Sequence, residues 1–102
     1  MPTATSIVIR TEEATKFAEE FDLFTSLDVA ISHLGRAFPD AERISVDVEQ
    51  DPNSEYRCLL VDVLVAGDAS EVHKRHRECA SEVALTLKWP AATLVQTIYS
   101  IA

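Results

Sequence analysis

The chain is expected to fold as an α+β domain in the order (β)ααββαβ, with a three- to four-stranded antiparallel or mixed sheet packed against a long helix. Three observations lead there. Residues 58–66 form the longest nearly unbroken apolar run, rich in branched side chains and closed by Gly67. A run that short, bounded by turn residues, reads as a strand covered on both faces. Residues 43–49 alternate, with Ile44, Val46 and Val48 against Ser45, Asp47 and Glu49, which is the period of a half-buried strand. Two other stretches, 11–38 and 68–88, carry apolar residues at spacings of three and four, the period of amphipathic helices.

In chain order, residues 1–5 are small and polar, as in a frayed terminus. Residues 6–10 have the types of a short strand, or of an extended arm on the core. Thr11 is placed to cap a helix whose first turn holds Glu12 and Glu13, where carboxylates complement the helix dipole. Ala14, Phe17, Ala18 and Phe21 form its apolar stripe. A second helix start follows at Thr25, with Asp28 three residues on and Phe24 stapled to Val29. Its stripe is Leu27, Ala30, Ile31, Leu34 and Phe38, and Pro39 ends it. The two helices form an N-terminal αα-hairpin.

Residues 50–54, Gln-Asp-Pro-Asn-Ser, are turn formers, so 43–49 and 56–66 make a hairpin. Asp68 or Ser70 caps the long helix, which runs to about residue 88 with Val72, Cys79, Ala80, Val83 and Leu87 on one face. Glu71–Arg75 and Lys74–Glu78 are spaced as i,i+4 ion pairs. Trp89-Pro90 ends the helix, and 92–101 reads as a last strand of ambiguous parity. Its crossover is expected to be right-handed if its two strands are parallel neighbours.

A chain of 102 residues has room for one domain and can bury its own core. Net charge is −8, from 9 basic and 17 acidic residues. That balance argues against nucleic acid and anionic lipid as partners, and permits a basic protein. No apolar stretch reaches the length that crosses a membrane, and no leader pattern is visible. The expectation is a cytoplasmic protein with Cys58 and Cys79 reduced. Cys58 faces away from the helix layer by strand parity and Cys79 faces into it, so no disulfide joins them.

Parity also divides the sheet. If the long helix covers Ile44, Val46, Val48, Leu59, Val61, Val63 and Val65, the other face holds Asp47, Glu49, Cys58, Leu60, Asp62 and Leu64. The αα-hairpin, a second copy of the chain or a ligand would cover that face. Cys58, Leu60 and Leu64 are the candidate interface residues of a homodimer.

Chemistry-bearing residues are sparse. His73, His76 and Cys79 step around the helix by about 60° each, a poor spacing for a metal, and His76 reads as a semi-core histidine. Asp47 and Asp62 fall on one sheet face, where carboxylates bind cations or exchange protons; Asp62 stands out among its apolar neighbours. Phosphate loops, a nucleophile elbow and zinc-ribbon spacing are absent from the sequence. The expected function is therefore a non-catalytic interaction domain without a cofactor, a homodimer acting by protein–protein contact. An inhibitor or immunity-type protein against a basic target is one form of it. The alternative is a small-molecule- or metal-binding domain or minor enzyme, with a pocket near Asp47, Asp62, His76 and Trp89.

Overall fold

The apolar run forms the third of four strands. In the computed structural model, which describes residues 7–102 and of Ile7 only the backbone, the elements are β1 (Ile7–Arg10), α1 (Glu12–Glu20), α2 (Phe24–Ala37), β2 (Arg43–Gln50), β3 (Arg57–Val65), α3 (Ala69–Thr86), α4 (Ala91–Leu94) and β4 (Val95–Ile101). The expectations for residues 1–6 lie outside the described residues. The protein is α+β, with the strands in the spatial order β1-β2-β3-β4. β1 runs parallel to β2, β2 antiparallel to β3, and β3 parallel to β4, so the sheet is mixed.

Register decides which side chains are dry. The β2–β3 ladder sets Ile44 opposite Val63, Val46 opposite Val61 and Val48 opposite Leu59. Opposed residues share a face, so these aliphatics form one apolar surface with Val65. Leu59, Val61 and Val63 are each 0% exposed. Burying one such side chain is worth about 1.5–3 kcal/mol. Phe17, Leu27, Leu34, Val72, Cys79 and Val83 cover them from α1, α2 and α3 in one continuous core. The αα-hairpin therefore lies beside α3 on the same side of the sheet, not across the other face.

The two crossovers, β1-α1-α2-β2 and β3-α3-β4, join parallel neighbours on that one side. Because β2 and β3 run in opposite directions, the crossovers have opposite hands, and only one has the usual right-handed sense.

Local chemistry explains the boundaries. The Thr11 hydroxyl accepts from the Ala14 amide at 3.1 Å and caps α1. α2 begins earlier than the Thr25 cap predicts. Asp22 takes a left-handed φ of 53°, a conformation Asp tolerates, and Leu23 is buried at 3% exposure. Leu23 becomes the cap position, without a side-chain cap bond, and Thr25 falls inside the first turn. Phe38, 0% exposed, closes α2 just before Pro39. Asp68 accepts from the Glu71 amide at 3.1 Å and starts α3, an 18-residue helix. Arg75 does not close on Glu71; it lies 4.0 Å from Asp40, with its guanidinium over the Phe38 ring.

The last strand is shorter than expected. A cis Trp89–Pro90 peptide leads into the single turn α4, where proline is tolerated because its missing N–H would be unpaired anyway. The Thr93 hydroxyl donates to the Pro90 carbonyl at 2.7 Å. Pairing with β3 then fixes the parity: Val95, Thr97, Tyr99 and Ile101 share the helix face, and Gln96, Ile98 and Ser100 share the other. Among the described residues, no helix is long and apolar enough to cross a membrane.

Adjacent leucines of β3 test this register. Leu59→Ala is expected to lower unfolding stability by about 2–5 kcal/mol in urea titrations. Leu60→Ala, on the half-buried face, is expected to lose less than half of that. Equal losses would mean that the two faces are covered alike.

Candidate functional site

The sheet face turned away from the helices is the most unusual surface of the molecule. It is built by alternation from three strands, with Asp47 opposite Leu60, Ser45 opposite Asp62 and Glu49 opposite Cys58. β4 adds Ile98 beside Asp62 and Ser100 beside Leu64, and β1 adds Ile9 beside Ser45. Leu60 and Leu64 are half-buried by their neighbours; Ile9 and Ile98 are 46% and 38% exposed. Among the described residues, no helix longer than one turn lies over it.

Of the three carboxylates on this face, the two aspartates are engaged by hydroxyls. Ser100 Oγ donates to Asp62 and lies 3.0 Å from each carboxylate oxygen. Asp47 Oδ1 accepts from Thr11 Oγ1 at 3.0 Å and from its neighbour's amide, Val48 N, at 2.8 Å. Asp62 is thus tied toward β4 and Asp47 toward the end of β1. Among the described residues, no three His, Cys, Asp or Glu side chains converge as a metal site.

His76 lies on the opposite side of the sheet. It packs under α3 with its ring centroid 5.1 Å from that of Tyr99. Nε2 is buried and has no hydrogen-bond partner. His73 Nδ1 is 3.0 Å from the Tyr99 hydroxyl. Burial lowers the His76 pKa below the usual histidine value; the nearby Thr97 carbonyl opposes this and His73 adds to it. Trp89 is 80% exposed beyond the end of α3. Asp47, Asp62, His76 and Trp89 are therefore not brought into one pocket. Three of the surface grooves, lined by other residues, lie on the helix side. One, of about 360 Å³, runs between α2 and α3 past His33, Arg36, Arg75 and Glu82. A second, of about 480 Å³, lies along α3 at His73, Lys74 and Arg77. The third, of about 350 Å³, lies at Lys16, Glu20 and Arg57.

Cys58 and Cys79 are both free and buried. They lie on opposite sides of the sheet, as parity requires. Burial raises both thiol pKa values, which keeps them protonated and slow to react. Tyr56 interacts with the Cys58 thiol, and its hydroxyl donates to the Thr93 carbonyl of α4. This tie closes one end of the open face. Tyr56, Ile98 and Ser100 escape a reading of single strands, because their placement needs the β3–β4 register.

Two measurements follow from these burials. Thiol titration of unreduced protein is expected to find both cysteines slow in the native state and both titratable after unfolding. A disulfide would leave none. The depressed His76 pKa means that the unfolded chain takes up a proton more readily than the native one as pH falls. Stability from this group is present above the ordinary histidine pKa and is lost below it. Urea midpoints at about pH 7.5 and about pH 5.5 are expected to fall further for the wild type than for His76→Leu; parallel falls would refute it.

Compared with protein-family models, curated proteins and solved structures, the chain matches none of them.

Proposed function

We propose that this chain is a non-catalytic interaction domain of the cytoplasm, working by protein–protein contact through the open face of its sheet. The observation that carries this reading is the face itself, where Leu60, Leu64, Ile9 and Ile98 are interleaved with Asp47, Asp62 and Glu49. Apolar groups of this kind gain from being covered, and contiguous exposed patches mark interaction sites. Hydroxyls hold the two aspartates in place, so the charged positions are fixed before a partner arrives and less ordering remains to be done on binding.

Charge selects the partner. The chain carries −8 overall. A two-fold stack of this face on itself sets Asp47 and Asp62 near their own copies, a repulsive arrangement once water leaves. A basic protein offers the complementary field and faster encounter. An inhibitor of a basic target is one form that fits. Reduced thiols suit the cytoplasm.

The test uses the full chain immobilised against cell extract, followed by binding measurements with each purified partner. Leu60→Ser and Leu64→Ser, checked for folding by circular dichroism, are expected to weaken binding at least about tenfold, or ~1.4 kcal/mol each. Rising salt is expected to weaken it further. A partner held equally well by both variants, or indifferent to salt, overturns the reading.

A further inference from the structure

Among the described residues, the outer edge of β4 is a second unpartnered surface, and its chemistry differs from that of the face. Exposed sheet edges are normally blunted by charge, proline, a bulge or shortness. β1 at the far edge follows that rule. Its described part is four residues long and ends at Arg10, which is ion-paired to Asp28 at 3.4 Å. β4 does not. It is seven residues long, contains no charged residue or proline, and pairs with β3 without a bulge. No charged residue follows Lys88 anywhere in the chain.

The direction of its free backbone groups follows from one bond. Ala102 N donates to Val65 O at 2.8 Å, so residue 102 points toward β3. By strand alternation so do Ile98, Gln96 and Ser100. Thr97, Tyr99 and Ile101 therefore aim their N–H and C=O groups outward, as does the Val95 carbonyl, while the Val95 amide is already taken by Ala91 O at the end of α4. The Thr97 carbonyl also faces His76, and its second lone pair remains for another donor.

We infer that the occupant of this edge is a second copy of the chain, paired β4 to β4 in antiparallel sense about a two-fold axis at Ile98. In that register Val95 meets Ile101, Gln96 meets Ser100, Thr97 meets Tyr99, and Ile98 meets itself. Apolar opposes apolar and polar opposes polar at both ends. The outward-pointing residues fall opposite one another, with Thr97 and Tyr99 exchanging two bonds and Val95 offering only its carbonyl to Ile101, and Ile98 sits at a non-hydrogen-bonded position. Shifting the axis to Thr97 leaves Ile101 without a partner in the strand, and shifting it to Tyr99 leaves the Val95 carbonyl without one. Two molecules of charge −8 repel least where neither carries charge, which is here. On the helix side, a groove of about 80 Å³ between α3 and β4 is bordered by Ala80 and Ala84, small side chains that let α3 and its copy come close. The product is a continuous eight-stranded sheet with both open faces on one side. This inference stands on a surface separate from Leu60 and Leu64, and the two readings fail separately.

The test is the mass of the full chain by light scattering across concentration, together with cysteine substitutions. The wild type is expected to reach twice its 11.3 kDa monomer mass. Ile98→Cys brings two cysteines face to face, at about 4.5 Å between Cα atoms, within disulfide range. It is expected to form a covalent dimer on mild oxidation, at least about ten times faster than Ser100→Cys, which faces Gln96 instead. The double variant Gln96→Cys/Ser100→Cys is expected to link as well. Thr97→Pro removes one outward N–H and is expected to give a folded monomer; if it unfolds, the cysteine pairs decide. A wild type that stays monomeric at high concentration overturns the inference. So does a dimer in which Ile98→Cys links no faster than Ser100→Cys.

Discussion

The structure depends on the alternation of β3 being held in phase with the strands on both sides of it. Val61 lies opposite Val46 on one side and beside Thr97 on the other. Slipping either pairing by one residue would turn Leu60 and Asp62 into the core and Leu59 and Val61 out of it. Burying Asp62 among aliphatics without its serine would be severe. The hydrophobic surface of β3 thus selects the helices' side, and Asp62 prevents the other side from becoming equivalent. One strand so defines a dry layer and a wet one.

That division was legible from residues alone, because β2 alternates cleanly and β3 carries a single carboxylate. The hairpin, the three helices, the Thr11 and Asp68 caps and the separation of the two cysteines all follow from short-range patterns. What was not legible depended on long-range partners. Thr25 has a good capping side chain, yet Asp22 and the burial of Leu23 start the helix before it. β4 is apolar on both edges of its alternation, so only its pairing with β3 decides that Ile98 looks outward and Tyr99 inward. The pocket expected near Asp47, Asp62 and His76 contained its own contradiction. A histidine on the sheet-facing stripe of α3 and carboxylates on the far sheet face have the sheet between them.

The molecule separates its charge from the free edge of β4. Carboxylates gather on the open face and around the helices, while the chain after Lys88 carries none. The face proposed to select a partner by charge and the edge proposed to pair without charge would so work in one small domain without competing. Ile98 belongs to both, since its side chain lies on the face and its strand forms the edge.

Thr11 connects the two layers in another way. Its hydroxyl accepts from Ala14 at the start of α1 and donates to Asp47 on the far side of the sheet. Its own amide is bonded to the sheet too, donating to Val46 O at 3.1 Å. A cationic group of the proposed partner that drew the Asp47 oxygen toward itself would take the acceptor from the threonine proton, while the threonine oxygen still faces the Ala14 amide. Contact at the face would so reach the first turn of a helix that never touches the partner, around the rim of the sheet and not through it.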